Sequence, residues 1–404
     1  MKHILIVSAV YLPEPVVSAR ISQDLATGLA EKNISVTVLA PYPSRPKGFI
    51  FNGAMAGKNN ISIEDDGIFT TVRLPSFIYP NSNPLGRLYE SISFGWHCYK
   101  FITQAVSDYD KVYMNTWPLF GQLGVTYACV KKKIPCIVHV QDIYPESLTN
   151  KLPFFFRGIF SSLLMPIERY VLKYANKIVA ISQNMKATLV QTRQIEQDKI
   201  SVVYNWQDDA SFPDDQLSKK RQPKFNFMYL GNIGPVAGVD TLINSFQKSN
   251  LIDSCLTIAG TGSKKQECIQ LAQRTPHLDI KFIDVPANSV AKTQAEADVL
   301  LLPVIKGGAL SSIPSKLPAY MLSAKPILAT VDNESDSAIA ITEAKCGWVG
   351  NAEDTDWLAN KMKEVSKYDR TYLVTLGHNG RCYCLKNFSK EVNLEKLINC
   401  VTNA

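Results

Sequence analysis

The sequence is poor in features that would set it apart from an ordinary α/β enzyme, and each absence excludes something. No run of about 18 apolar residues occurs, so no segment is expected to cross a bilayer as a helix. The nine cysteines (Cys98, Cys129, Cys136, Cys255, Cys268, Cys346, Cys382, Cys384 and Cys400) include no C-x-x-C pair. An odd, scattered set of this kind argues for reduced core thiols, against a disulfide framework or a zinc site. Cys382 and Cys384, the closest pair, read as two faces of one element. The five histidines are dispersed and no Asp-x-Asp pair stands at a strand end, where bound Mg²⁺ would want it, so no metal and no cofactor is expected. There is no recognised nucleic-acid motif, no Arg-rich helix, no internal repeat and no low-complexity tract.

What is present suits two α/β domains of roughly 200 residues each, because 404 residues exceed one ordinary core. The hydrophobic share of 46% and charged share of 20% are globular values. Met1-Lys2-His3-Ile4-Leu5-Ile6-Val7 reads as a strand rather than a signal peptide, since the apolar run is short and Pro13 and Glu14 follow soon after. A cytoplasmic protein is the expectation. The net charge of +7 is uneven: residues 1 to 200 hold 21 Lys and Arg against 14 Asp and Glu, whereas the remainder balances at 22 against 22. An N-terminal excess fits an anionic membrane surface, nucleic acid or nothing specific, and nucleic acid is the weakest of these.

Short β-branched runs alternate with amphipathic stretches throughout. In the first half, Ile4 to Val7, Val36 to Ala40, Lys111 to Met114, Cys136 to Val140 and Lys177 to Ile181 read as strands. Ala19 to Glu31 reads as a helix capped by Ser18, with Ile21, Leu25 and Leu29 on one face. Residues 41 to 65 read as a loop. A second series runs through Phe225 to Leu230, Leu256 to Ala259, Ile280 to Ile283, Val299 to Leu302 and Pro326 to Thr330. Strands separated by helices predict doubly wound parallel sheets. The polar stretch from Gln207 to Lys224, with Lys219-Lys220-Arg221, is the candidate linker, and Asp208-Asp209 and Asp214-Asp215 within it read as solvated charge.

Three strand-to-helix junctions in the second half resemble phosphate cradles. Gly231, Asn232 and Gly234 follow one predicted strand, and Gly260 and Gly262 another. The third carries Lys306 and Gly307, then Ser315 and Lys316 at a helix start. Backbone without Cβ can approach a phosphate closely, and a lysine at a helix N-terminus opposes the helix dipole unless an anion resolves the conflict. Together they suggest a nucleotide site, with plain turns as the alternative for each. Glu334 and Glu343 are candidates for ribose contact, or solvated surface. The stretch Leu152 to Met165, rich in Phe and followed by Arg169, Lys173 and Lys177, reads either as an interfacial helix for anionic lipid or as a helix buried on the sheet.

Ordered along the chain, several motifs resemble those of glycosyltransferase family 4. They are Tyr11-Leu12-Pro13-Glu14-Pro15, Ile178-Val179-Ala180-Ile181-Ser182, Val202-Val203-Tyr204-Asn205-Trp206, Tyr229-Leu230-Gly231-Asn232-Ile233-Gly234 and Ala297-Asp298-Val299-Leu300-Leu301-Leu302-Pro303. Asp142-Ile143-Tyr144-Pro145-Glu146-Ser147 and Pro314-Ser315-Lys316-Leu317 are similar to the branch that builds bacterial surface polysaccharide: O-antigen, capsule or exopolysaccharide. The resemblance implies the GT-B fold, two Rossmann-like doubly wound domains facing an interdomain cleft. Residues 1–205, with 386–404 crossing back as a C-terminal helix, would bind acceptor; residues 206–385 would bind the nucleotide-sugar.

The same resemblance implies a retaining, metal-independent transfer from a nucleotide diphosphate sugar, UDP favoured over GDP, to a glycan on a polyprenyl diphosphate carrier at the inner face of the cell membrane. From the residues themselves, Asp142 stands just after the strand Cys136 to Val140, where doubly wound sheets bind ligands, and reads as the contact to the acceptor hydroxyl or as a turn residue with Pro145 and Glu146. His139, near where many relatives place a histidine, could act instead or point into the core. The chain departs from the family where Asn232 and Ala237 stand in place of an Arg and a Lys, and Ser311 and Ala319 in place of paired glutamates. Those departures keep two other classes open: a nucleotide-sugar epimerase of the same architecture, and a noncatalytic nucleotide-sugar-binding partner subunit.

Overall fold

The apolar runs pair as strands in two separate sheets, each with its own helices. The structure is a computed structural model and describes residues 2–14, 16–43, 60–65, 67–78, 84–105, 108–115, 118–149, 154–213, 223–286, 289–310 and 313–403. Two compact units result, residues 1–205 with 394–404, and residues 206–393.

The first unit holds strands β1 (His3–Ser8), β2 (Ser35–Pro41), β3 (Ser62–Asp65), β4 (Thr70–Leu74), β5 (Lys111–Asn115), β6 (Cys136–Val140), β7 (Lys177–Ala180) and β8 (Ile200–Val202). Their order is β3-β4-β2-β1-β5-β6-β7-β8, parallel except for the antiparallel β3–β4 pair. Ile4, Leu5, Ile6 and Val7 are at most 1% exposed, as a strand covered on both faces requires. Helices supply that cover: α1 (Val17–Glu31), α2 (Pro84–Gln104), α3 (Leu119–Lys132), the short α4 (Glu146–Thr149), α5 (Phe154–Tyr174) and α6 (Gln183–Arg193).

Ile21, Leu25 and Leu29 are buried as their spacing predicts. Ser18 does not cap α1: the helix starts at Val17 with no side-chain cap, and the Ser18 carbonyl instead accepts from Asn115 Nδ2 at 2.9 Å. Ser182 does cap α6, its Oγ accepting from the Met185 amide at 3.0 Å. Strand β3 lies in the stretch read as loop; as a four-residue edge strand with Ile63 largely exposed, it carries no apolar alternation to betray it. Residues 44–59 of that stretch lie outside the described residues.

Where α2 and α3 cross, glycine is obligatory on both sides. A Cβ on Gly95 would sit 2.3 Å from the Phe120 carbonyl oxygen, and one on Gly124 would sit 2.3 Å from the Gly95 carbonyl oxygen. The two helices therefore meet backbone to backbone.

The second unit holds β9 (Phe225–Leu230), β10 (Ser254–Ala259), β11 (Asp279–Ile283), β12 (Val299–Pro303), β13 (Ile327–Thr330) and β14 (Gly347–Gly350). Their order, β11-β10-β9-β12-β13-β14, is the doubly wound 3-2-1-4-5-6 arrangement, all parallel. Its helices are α7 (Val239–Ser249), α8 (Lys265–Ala272), α9 (Val290–Gln294), α10 (Lys316–Leu322), α11 (Asp336–Glu343), α12 (Thr355–Val365) and α13 (Arg370–Asn387), with only the first turn of α14 (Lys390–Thr402). Cys382 is exposed and Cys384 buried, on two faces of α13.

The segment read as linker is partly built in. Trp206 and Phe212 are buried, and Arg381 Nη2 donates to the Phe212 carbonyl at 3.1 Å. Asp209, expected to be solvated, accepts the Lys390 amide at 3.1 Å at the start of α14. Asp214, Asp215 and the basic run 219–221 lie outside the described residues. From Leu394 onward α14 packs in the first unit, where Ile398 and Leu394 lie over Gly28 of α1 and Glu395 pairs with Lys32 at 2.8 Å.

Gly124→Ala puts a methyl group against the backbone of Gly95. It is expected to lower stability by roughly 1–3 kcal/mol, the usual scale of overpacking. The thermal midpoint by circular dichroism measures it; an unchanged midpoint would show that α2 and α3 can separate freely.

Candidate functional site

Because every strand of the second sheet is parallel, the loops that follow the strands all emerge at one edge. Strands β9 and β12 are neighbours whose connections leave in opposite directions, and that switch point is where doubly wound sheets hold ligands. They pair only at Phe227 with Val299 and Met228 with Leu300. Beyond that point Tyr320 of α10 substitutes for the missing strand: its hydroxyl accepts from the Leu230 amide at 2.9 Å and donates to the Leu230 carbonyl at 3.0 Å.

Lys316 lies one helical turn before Tyr320 and so on the same face. Its Nζ stands 5.3 Å from the centroid of the buried Tyr229 ring, a cation–π distance. Among the described residues no carboxylate and no hydrogen-bond acceptor meets this ammonium, and burial lowers its pKa. A half-buried cation without a counter-charge is costly, and an incoming anion would remove the cost.

The glycine loops are shaped around that lysine. A Cβ on Gly231 would lie 2.1 Å from Lys316 Cε, so any other residue there would displace the ammonium. The loop after β10 nests under the loop after β9. The Gly231 amide donates to the Ala259 carbonyl at 2.9 Å and the Ile233 amide to the Thr261 carbonyl at 2.8 Å. A Cβ on Gly260 would reach 2.2 Å from the Gly231 carbonyl, and one on Gly262 2.7 Å from Asn232 Oδ1. Gly234 packs against Asn232 Nδ2, and the Asn232 carbonyl accepts from the Tyr229 hydroxyl at 2.6 Å.

Lys306 is exposed at the same edge, on the loop after β12. Its amide donates to Glu353 at 3.3 Å, beyond β14, and the Gly307 amide donates to the Asp332 carboxylate at 2.9 and 3.0 Å, beyond β13. The Lys306 ammonium meets no acceptor among the described residues. Ser315 is exposed, and its carbonyl accepts from Gln207 Nε2 at 2.9 Å. The structure therefore brings Gly231, Asn232, Gly234, Gly260, Gly262, Lys306, Ser315 and Lys316 to one sheet edge. Asp332, Glu353, Tyr229 and Tyr320 join them; only Tyr320 had a usable signal, four residues after Lys316 in a predicted helix. Ser311 lies outside the described residues.

Glu343 is elsewhere. It ends α11, which starts at the loop edge and runs about 12 Å toward the opposite edge. There its carboxylate accepts from the Tyr383 hydroxyl at 2.8 Å, so the reading of Glu343 as a ribose contact is corrected to a tie between α11 and α13. Glu334 is exposed on the loop before α11.

In the first unit the corresponding edge carries a chain of polar side chains at the β1/β5 switch point. Asn205 Nδ2 donates to Gln141 Oε1 at 2.9 Å, Gln141 Nε2 to Asn115 Oδ1 at 3.2 Å, and Asn115 Nδ2 to Ser22 Oγ at 2.9 Å. Asp142 is exposed just past the end of β6. Its loop is braced from below. The Arg193 guanidinium donates to the Tyr144 carbonyl and pairs with Glu168 at 2.5 Å, as well as with Glu146, while the Tyr144 amide donates to Glu168 at 3.0 Å. Burial pushes the Glu168 carboxyl up to about 7 against the pull of Arg193.

His139 is placed in the core rather than at the edge. It is fully buried, its Nδ1 2.6 Å from the Tyr113 hydroxyl, and burial drops its pKa to about 3, so the ring stays neutral. Strand alternation explains this, since β6 is covered on both faces. As a contact to an acceptor hydroxyl, His139 is corrected to a core residue.

Residues 18–210 match the family model described as Glycosyltransferase Family 4. The probable glycosyltransferase WbjE of Pseudomonas aeruginosa is 23% identical over 276 residues, covering 66% of this chain and 67% of that protein. Among solved structures, sucrose-phosphate synthase from Thermosynechococcus elongatus aligns with a TM-score of 0.72 at 14% identity over 98% of this chain and 97% of that one. HepE from Anabaena, solved with UDP and glucose, aligns with a TM-score of 0.67 at 16% identity over the whole of both chains.

Lys316→Met removes a half-buried charge. In the ligand-free protein this substitution is expected to raise stability at pH 7. The sign follows from a folded pKa below the unfolded 10.5: the native state binds the proton less well, so the penalty is complete at neutral pH and fades as pH climbs toward 10.5. Thermal melts of both proteins across that range test it; a variant less stable at pH 7 would mean that the ammonium has a partner.

Proposed function

We propose that this chain, a glycosyltransferase of GT-B fold whose residues 18–210 match glycosyltransferase family 4, moves a sugar from a nucleotide diphosphate to a lipid-linked glycan in surface-polysaccharide synthesis. The observation that carries the donor half is the Lys316 ammonium, half-buried against Tyr229 beside a glycine loop that leaves it room. When the bond from the sugar's anomeric carbon to the diphosphate oxygen breaks, its electron pair stays on that oxygen. A preplaced ammonium stabilises the charge that develops there. In this reading Lys316 and the exposed Lys306 supply positive charge that the family's Arg and Lys would otherwise bring, and no metal is required.

UDP is favoured over GDP as the donor base; the HepE structure, which holds UDP, supports this choice. The acceptor is assigned as a glycan on a polyprenyl diphosphate, from the likeness of residues 142–147 and 314–317 to surface-polysaccharide enzymes. Asp142, exposed on a loop braced by Arg193 and Glu168, is assigned to the acceptor hydroxyl. The new glycosidic bond forms on the face the diphosphate leaves, with retention. The described residues at the donor edge offer no pair of carboxylates set for a nucleophile and an acid; Asp332 and Glu353 are engaged by backbone amides.

Two experiments test this reading. UDP and a UDP-sugar should raise the thermal midpoint of the wild-type protein, with Lys316→Met weakening their affinity roughly 10- to 100-fold, the scale of a lost charged hydrogen bond. No shift with any nucleoside diphosphate would remove the donor assignment. Asp142→Ala should abolish transfer to a lipid-linked acceptor while leaving the UDP shift intact; an active variant would take Asp142 out of the mechanism.

A further inference from the structure

The loop after β6 is fastened by one buried ion pair that comes from two other helices. The side chain of Arg193, the last residue of α6, is 2% exposed, and that of Glu168 on α5 is 5% exposed. Both main-chain groups of Tyr144 end on this pair: its amide donates to Glu168 Oε1 at 3.0 Å, and its carbonyl accepts from Arg193 Nη2 at 2.5 Å. The second Glu168 oxygen takes Arg193 Nε at 2.5 Å, and Nη1 donates to Thr192 Oγ1 at 2.8 Å. Nη2 also pairs with Glu146, whose carboxylate is 45% exposed. The main-chain bonds within the stretch are local, from the Ser147 amide to Ile143 and from the Leu148 and Thr149 amides to Pro145. They shape a turn without tying it to the sheet.

Tyr144 is two residues from Asp142, and the two side chains interact. Burial first, and the Asp142 carboxylate second, push the Tyr144 phenol up. Fixing the main chain at Tyr144 therefore fixes the segment that aims Asp142. A planar guanidinium suits this task, because its N–H groups hold a carboxylate and a carbonyl at once in one plane, which an ammonium on a flexible stem does not.

The same pair is a poor support for the fold. Taking two charges out of water opposes folding, and apolar side chains of similar volume often replace a buried ion pair with no loss of stability. Glu168 shows the imbalance, since burial pushes its carboxyl up to about 7 although Arg193 and the Tyr144 amide pull it down. The charged groups acting on it are Arg193 of α6 and Glu146 of α4, the latter raising it further; α3, which also packs on α5, brings Tyr127 beside Tyr170. A native carboxyl above its ordinary 4.5 holds its proton better than the unfolded chain does. The penalty is thus complete above about pH 7 and fades as pH falls toward 4.5.

We infer that Arg193 and Glu168 are positioning residues of the transfer reaction, a clasp that sets the main chain at Tyr144 so that Asp142 meets the acceptor hydroxyl at a fixed angle. The inference rests on the assignment of Asp142 to the acceptor, whereas the clasp itself is geometry. Displacing a reacting group by about 1 Å is enough to lose roughly 100-fold in rate.

The double variant Glu168→Leu with Arg193→Met removes both charges together and separates positioning from support. Its thermal midpoint is expected to equal or exceed that of the wild type near about pH 8, with the advantage shrinking toward about pH 5. Its UDP thermal shift should be unchanged. Hydrogen exchange of residues 142–149, followed by mass spectrometry without ligand, should quicken at least about tenfold. With a UDP-hexose and a polyprenyl diphosphate monosaccharide, transfer should fall roughly 10- to 100-fold, mainly in kcat. Arg193→Lys, which keeps a charge beside Glu168 and loses the fork, should show the faster exchange and an intermediate rate. Wild-type exchange or wild-type transfer in the double variant overturns the inference. A double variant less stable than the wild type, or unable to fold, makes the pair a support of the fold and equally overturns it. If Asp142→Ala transfers normally, the assignment of Asp142 has failed instead, and exchange in the double variant still reports whether the clasp holds the loop.

Discussion

Parallel pairing is the constraint from which the rest of this molecule follows. A chain that lays every strand of a sheet in one direction must return each time through a helix, so both faces are covered and all post-strand loops collect at one edge. In the second unit that edge receives the loops after β9, β10, β12, β13 and β14. Residues as far apart in sequence as Gly231, Gly307 and Glu353 become neighbours there for no reason but strand direction. Where β9 and β12 part, Tyr320 completes the backbone pairing of Leu230 and leaves the position one turn earlier for Lys316.

Lys316 shows how a site can be recognised by what it lacks. Proteins seldom leave an ammonium half-buried without a carboxylate, because desolvation opposes the charge. The acids at this edge are already committed: Asp332 holds the Gly307 amide and Glu353 the Lys306 amide. They shape the loop after β12, and neither meets the Lys316 ammonium. Gly231 is the complement, a residue whose missing side chain is the space that the lysine occupies. Asn232 and Ala237 bring no charge to the loop after β9, and the nearby cation is Lys316 on the helix after β12.

The first unit uses the same geometry differently. Its edge carries a relay of amides from Asn205 through Gln141 to Asn115, with the Asp142 carboxylate exposed beside it. The charge is kept underneath, in the Arg193 bridge to Glu168 and Glu146, where it stiffens the loop without facing a substrate. Two units of similar winding thus present loop edges of different polarity, one lined by amides and one by glycines and lysines.

The sequence by itself made ten of the fourteen described strands legible as short β-branched or apolar runs, but not the short strands β3, β4, β8 and β14 at the sheet margins. From their place after such runs, it marked the glycines and lysines at the loop edge of the second sheet. It also marked Asp142 by its place after β6. Tertiary structure alone decided the rest. Spacing could not say that β6 would be covered on both faces, and that cover buries His139 whichever way it points. Helix length and direction carried Glu343 to the far edge, although its distance in sequence from Lys316 gave no hint of this. The pairing of Tyr320 with Leu230, the clasp of Arg193 on the loop after β6, and the row of Trp96, Tyr99 and Tyr127 across α2 and α3 all join residues from separate strand-helix units. Local propensity acts within a few residues, whereas such contacts arise only once the sheet order has been chosen.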